Sequence, residues 1–283
     1  MFSNLKRLTE LSLSNNQITR IRQPGTFSGL PNLETLNLSN NKITNITPGT
    51  LKNLPKLTVL WLEGNQITDI QSGTFSNLPK LKTLHLQKNQ ITRIRQPGTF
   101  SGLPNLETLN LRNNKITNIT PGTLKNLPKL TVLWLEGNQI THIQPDTFSN
   151  LPKLTELDLQ KNQITDIQPG TLSNLPKLAG LYLRSNNITD IQIGTFSNLP
   201  KLTSITLGFN QITDIKPGTF SNLPKLTQLF LHSNQITGIQ SGTFSNLPNL
   251  QKLKLTSNQI SVLSQSAYDT LASISTVAIG CRR

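Results

Sequence analysis

Cysteine is almost missing from this 283-residue chain: Cys281 stands alone, which excludes an internal disulfide framework and any multi-cysteine zinc site. Histidine is nearly as scarce. His85, His142 and His232 lie far apart with no His-x-x-x-His spacing, and no glycine loop of phosphate-binding type accompanies them. Charged residues make up 14% of the chain, well under the usual quarter, so Asn, Thr and Ser supply the surface polarity. No apolar run approaches the roughly 18 residues of a membrane span, so no transmembrane segment is expected in this chain. The opening Met1-Phe2-Ser3-Asn4-Leu5-Lys6 lacks the apolar stretch of a signal peptide. Hydrophobic residues reach only 34%, yet there is no low-complexity tract. That combination fits a small core unit repeated many times.

Such a unit is present. Leu57, Leu60, Leu62, Asn65, Ile67 and Ile70, followed by Gly73, Phe75 and Leu78, make up a phrase that recurs throughout. Its leading position falls at Leu8, Leu33, Leu57, Leu81, Leu106, Leu130, Leu154, Leu178, Leu202, Leu226, Leu250 and Ile274. The period is 24, lengthened to 25 at two steps by Arg22-Gln23 and Arg95-Gln96. In Leu-x-x-Leu-x-Leu the apolar residues alternate with period two, the mark of a short strand with one face inward. Connections of about 18 residues let successive strands pair only in parallel. Phe27, Phe75, Phe100, Phe148, Phe196, Phe220 and Phe244 share one register with Leu51, Leu124 and Leu172, which predicts a stacked spine on the outer side. Pro-Gly-Thr and Asn-Leu-Pro segments predict turns and short helical pieces there. The recurring Asn (Asn41, Asn65 and Asn89 among others) falls where the strand turns away. Its amide can both donate and accept, so a structural ladder is expected.

Over essentially the whole chain the pattern Leu-x-x-Leu-x-Leu-x-x-Asn-x-Ile resembles the leucine-rich repeat family. The resemblance implies an α/β fold, a right-handed horseshoe solenoid with about 12 short parallel strands on the concave face and turns and short helical segments on the convex side. One domain over 1–283 is expected, with 1–7 a partial first repeat and 264–283 a C-terminal capping helix and last strand. Ser266 and Asp269 have capping-box spacing for a helix running to about Ser273, with Ile274, Val277 and Ile279 in the strand. Cys281, at the end of that strand, reads as a bland terminal thiol. Leu8 and Leu11 on an uncovered first strand predict end-to-end self-association.

A second period overlies the first. Residues 16–68 recur at 89–141 with one change, Ser39 to Arg112. Three repeats were duplicated as a block.

No catalytic set converges on such a stack, so no enzyme, cofactor or metal is expected. Asp166, Asp190 and Asp214 occupy one register and read as solvated turn residues. Lys129, Lys153, Lys177, Lys201 and Lys225, with Lys56 and Lys80 earlier, line one rim. A sulfated polyanion could track that row; without interleaved aromatics the row does not read as a specific nucleic-acid site. The informative column lies between the second and third strand leucines: Ser12, Asn37, Trp61, His85, Asn110, Trp134, Asp158, Tyr182, Thr206, Phe230, Lys254, Ala278. Core positions beside it hardly vary, while this column changes chemistry at almost every step. Exposed aromatics grouped on one face mark a binding surface, although aromatics also pack laterally along strands. Arg184, Phe209 and His232 flank the column. Trp61, His85, Trp134, Asp158, Tyr182, Arg184, Phe209, Phe230 and His232 are therefore the candidate ligand-binding residues, centred on Trp134, Tyr182 and Phe230.

The Gly-Thr-Phe-Ser-Asn-Leu-Pro-Lys-Leu phrase is similar to the 24-residue repeats of Toll-like receptor ectodomains and variable lymphocyte receptors. That resemblance implies an extracellular protein, secreted or at the cell surface, whose concave residues bind a protein or glycan ligand in immune-type recognition. A matrix or adhesion scaffold and a polyanion binder are the alternatives. Such proteins carry a leader, cysteine-rich caps and often an anchor, all expected to lie outside this chain. Asn45, Asn118 and Asn187 stand in Asn-x-Thr sequons and are the glycosylation candidates.

Overall fold

A computed structural model of the protein describes residues 5–21, 25–94, 99–196, 198–261 and 263–280. The chain forms two compact units, Met1–Gln139 with Asp146–Lys153, and Ile140–Pro145 with Leu154–Arg283. The first holds β1 (Glu10–Ser12), β2 (Thr35–Asn37), β3 (Val59–Trp61), β4 (Thr83–His85), β5 (Arg93–Ile94), β6 (Thr108–Asn110), β7 (Asn118–Ile119) and β8 (Val132–Trp134). The second holds β9 (Glu156–Asp158), β10 (Gly180–Tyr182), β11 (Ser204–Thr206), β12 (Gln228–Phe230), β13 (Lys252–Lys254), α1 (Gln265–Leu271) and β14 (Thr276–Ala278).

Each unit is a run of a leucine-rich repeat solenoid. In the first, β1, β2, β3, β4, β6 and β8 pair in that order, all parallel; β5 and β7 form a separate parallel pair. In the second, β9 to β14 pair in sequence order, again parallel. The register follows the repeat, so Leu36, Leu60, Leu84, Leu109 and Leu133 lie side by side in one unit, and Leu157, Leu181, Ile205, Leu229 and Leu253 in the other. All ten are fully buried. A slip of one residue would turn that row to solvent, which is why the pattern specifies the register so strongly.

The outer side is made of turns, with α1 the one helix among the described residues. The phenylalanine register is buried throughout. Phe75 and Phe100 stack with ring centres 6.2 Å apart, as do Phe196 and Phe220 at 5.6 Å. The asparagine ladder has the expected form. Asn65 Nδ2 donates to Leu62 O of its own repeat and Leu38 O of the one before, each at 3.0 Å, and Asn65 Oδ1 accepts from Ile43 N at 3.0 Å. The residue just before each ladder asparagine is left-handed, at φ 53° for Asn40, 54° for Lys88 and 50° for Lys161. A second ladder had no signal beyond the recurring Gly-Thr: Thr74 Oγ1 donates to Ile46 O at 3.4 Å and Thr195 Oγ1 to Ile167 O at 3.2 Å.

The C-terminal cap is placed differently from the sequence reading. Ser264, not Ser266, is the N-cap of α1 and accepts from Ala267 N at 3.2 Å. The helix ends at Leu271, short of Ser273, with Ala272 as its C-cap donating its N–H to Tyr268 O, and with Ala267 and Leu271 as its buried residues. Only Val277 of the three apolar residues assigned to the last strand lies within β14. Cys281, Arg22-Gln23 and Arg95-Gln96 fall outside the described residues. No helix among the described residues is long and apolar enough to cross a membrane.

Candidate ligand-binding face

Strand pairing brings the variable column together within each unit: Asn37, Trp61, His85, Asn110 and Trp134 are successive partners in one, and Asp158, Tyr182, Thr206, Phe230 and Lys254 in the other. In the first unit Trp61 and His85 stack with ring centres 3.8 Å apart and planes 11° from parallel. Burial pulls the His85 imidazole below the ordinary histidine value, against the opposing influence of Glu63 and Gln87. Glu63 accepts a hydrogen bond from Gln87 Nε2. Two repeats on, the Arg112 guanidinium lies 4.3 Å from the centre of the Trp134 ring, with Arg112 Nε 3.2 Å from Glu136 Oε2. The two tryptophans thus have different neighbours: an imidazole for one, a guanidinium for the other.

The second unit builds its patch around Phe209. That ring meets His232 edge to face at 5.3 Å, and the Arg184 guanidinium lies 4.6 Å from its centre. Phe209 is 46% exposed and sits at φ 56°, the left-handed position that other repeats give to Asn, Gly, Lys or Ser. A bulky side chain in that region is strained by about 1–3 kcal/mol. His232 follows β12 rather than lying in it. Its ring rests over Gly208, where an added Cβ would come within 2.5 Å. Burial depresses its pKa, helped by Lys254 and Arg184. The Tyr182 hydroxyl folds back over Gly180 in the same way, at 2.7 Å from where a Cβ would be. Burial raises the Tyr182 pKa, with Glu156 and Asp158 adding to it. Lys252 Nζ lies 5.5 Å from the Phe230 ring centre.

Two expected exposures are corrected: Asn110 is buried, its Oδ1 accepting from Arg112 N at 3.1 Å, and so is Asp158. Asp158 is only 1% exposed, because its carboxylate turns back to accept from Gln160 N and Nε2, both at 3.1 Å. Lys252, and Gly180 and Gly208 as beds for rings, were missed from sequence. The available signal was the lone glycine of the Gly180 column and the glycine that the Gly208 column shows only there and at Gly280 near the C-terminal end. The rim lysines are exposed, with Lys56 donating to Asn32 at 2.7 Å and Lys129 to Asn105 at 2.6 Å. Among the described residues no group of three metal-ligating side chains forms; Asp214 instead accepts from Gln240 at 3.2 Å. An open groove of about 870 Å³ along Pro176, Pro200, Pro224 and Pro248 carries no titratable group. Asn45, Asn118 and Asn187 are all exposed.

The chain matches the family described as Leucine rich repeat over residues 6–67, 96–140, 128–188, 176–236 and 229–277. It belongs to the leucine-rich repeat family. A two-copy form of the repeat also matches residues 55–97. Leucine-rich repeat proteins are typically non-enzymatic recognition scaffolds. Among solved structures this leucine-rich repeat chain is similar to a protein of the same family from Leptospira interrogans, with 29% identity and a TM-score of 0.79 over 97% of this chain and 68% of that one. It is similar to TLR13 in a TLR13–ssRNA13 complex, with 29% identity and a TM-score of 0.83 over 95% of this chain, in line with the resemblance to Toll-like ectodomains. It spans only 43% of that TLR13 chain. A third similar chain belongs to the octameric complex of Latrophilin 3, Unc5D and FLRT2 (LRR), at 30% identity and TM-score 0.78, covering 89% and 77% of the two chains. No curated protein sequence matches the chain.

Proposed function

We propose that the protein is a non-enzymatic, extracellular recognition module of immune type that binds a protein or glycan ligand on its sheet face. Trp61, His85 and Trp134 act in one unit, and Tyr182, Arg184, Phe209, Phe230 and His232 in the other. Phe209 carries this reading. An exposed ring held in a strained backbone conformation, flanked by Arg184 and His232, has no folding advantage over the Asn, Gly or Ser of other repeats. Exposed aromatics edged by arginine are the usual make-up of a binding hot spot. The structures named above, in which relatives of this fold are held in complexes with a protein or an RNA, support a binding role. A protein ligand is favoured over a sugar because charged groups of both signs (Glu63, Glu136, Arg112, Arg184) stand beside the rings. Asn45, Asn118 and Asn187 are assigned as glycan acceptors on the same reading.

The test is capture of ligands from a panel of extracellular proteins and glycans, followed by truncation. Trp134→Ala and Tyr182→Ala should each lose about 2 kcal/mol of binding with folding nearly unchanged. The control is Lys177→Ala with Lys201→Ala. If that pair abolishes binding, and salt does the same while the aromatic truncations leave it intact, the protein is a polyanion binder. Self-association insensitive to the face truncations would instead favour a matrix scaffold joined end to end.

A further inference from the structure

The duplicated block contains its own experiment. Residues 16–68 and 89–141 differ at one position, Ser39 against Arg112, and that position lies on the sheet face beside a tryptophan in both copies. The backbones are held alike. Ser39 N bonds to Asn37 Oδ1 at 2.9 Å and Arg112 N to Asn110 Oδ1 at 3.1 Å, and the residues that follow, Asn40 and Asn113, are both at φ 53°. In the second copy the Arg112 side chain occupies the side of Trp134 that faces the preceding repeat and pairs with Glu136. In the first copy the equivalent pair is Trp61 and Glu63, but Ser39 is too short to reach it. Its hydroxyl turns away to Asn37 Oδ1 at 2.7 Å.

The Trp61 side therefore lacks the cation of the second copy, and Glu63 instead accepts from Gln87 Nε2 of the following repeat, a neutral donor that an incoming cation would have to outcompete. His85, from the following repeat, covers the other face of the indole. Among the described residues no cation lies over Trp61 and no ion pair reaches Glu63. His85 is a poor substitute for that cation, since burial lowers its pKa below the ordinary histidine value. A carboxylate beside a half-buried indole face attracts a planar, weakly hydrated cation that can stack and hydrogen-bond together.

We propose that Trp61 and Glu63 form a receptor for the guanidinium group of an arginine side chain on a protein ligand, with Arg112 over Trp134 as the built-in likeness of the occupied state. This rests on the reading of the face as a ligand-binding surface, and narrows it to a protein partner with an exposed arginine. Trp134, already covered by Arg112, is closed to the same group.

The chain has two tryptophans, so their two indole Nε1–H signals in a nitrogen-15 NMR spectrum, assigned with Trp61→Phe and Trp134→Phe, report the two sites separately. Methylguanidinium is titrated as the probe. Saturable movement of the Trp61 signal alone is expected. Ser39→Arg, which installs the residue of the second copy, should weaken that response by about fivefold or more, and Glu63→Gln should weaken it too. Arg112→Ser should make Trp134 respond. Ser39→Arg and Arg112→Ser each install the residue that the other copy already accommodates, and Glu63→Gln keeps the side-chain size at a half-buried position, so folding is preserved. The proposal is overturned if Trp61 stays still, if it responds equally in Ser39→Arg, or if methylammonium or glucose moves it as strongly. Loss of the guanidinium response while Trp134→Ala and Tyr182→Ala still abolish ligand capture removes this receptor and leaves the wider reading standing.

Discussion

Asn65 sits inside its repeat and ties Leu38, Leu62 and Ile43 together through three hydrogen bonds; Trp61, four residues earlier, stands on the sheet face against His85. The interior uses one solution in every repeat. A buried polar backbone must be satisfied and a narrow core must be filled, and only an amide and a stacked Phe or Leu do both. The face has no such requirement, and its residues differ from repeat to repeat, down to a strained Phe209. What folding does not constrain is free to serve recognition. Substitutions of the two kinds should therefore separate cleanly into stability effects and binding effects.

The largest stability effect is expected inside. Phe148→Ala should cost about 3–5 kcal/mol in chemical denaturation; a loss under about 1 kcal/mol would mean that the phenylalanine register is not a working spine. Asn65→Ala comes next. The carbonyls of Leu38 and Leu62 keep Asn41 and Asn89 as donors, whereas Ile43 N loses its one bond to a side chain and is left buried. The expected loss is about 1–3 kcal/mol, and a neutral result would show that water replaces the amide.

On the face the sign should reverse. Phe209→Asn places a residue suited to the left-handed region and should stabilise the fold by about 1 kcal/mol, measured by thermal unfolding, while removing the Arg184 and His232 ring contacts and weakening ligand capture. Destabilisation would mean that Phe209 serves packing, and the contrast between interior and face would fail at its clearest point.

The smallest effect is on pH dependence. His85 and His232 have folded pKa values below the ordinary 6.5, so the unfolded chain takes up protons first as pH falls. Their contribution is complete above about 6.5 and is lost as pH drops from there through the folded values. His85→Gln with His232→Gln should flatten the fall in melting temperature over that window. An unchanged slope would assign the acid sensitivity to other groups.

The repeat by itself determined the parallel strands, their register, the phenylalanine spine and the asparagine ladder. Each is a backbone or burial requirement written at a fixed spacing, and period-two alternation inside a 24-residue period leaves one arrangement that buries every leucine. The column of face residues was equally legible, because its variation stands out against constant neighbours. The partnerships on that face were not. Nothing in the spelling says that Asp158 turns inward to Gln160, that Tyr182 and His232 lie down over Gly180 and Gly208, or that Lys252 reaches Phe230. The helix cap lies at Ser264, with Ala267 and Leu271 buried, where local spacing pointed to Ser266. Long side chains on an open sheet have several rotamers of similar energy, and only the neighbours that stacking brings within about 4–6 Å decide among them. The sequence carried the one difference between Ser39 and Arg112. The tertiary structure decided that it separates a covered tryptophan from an open one.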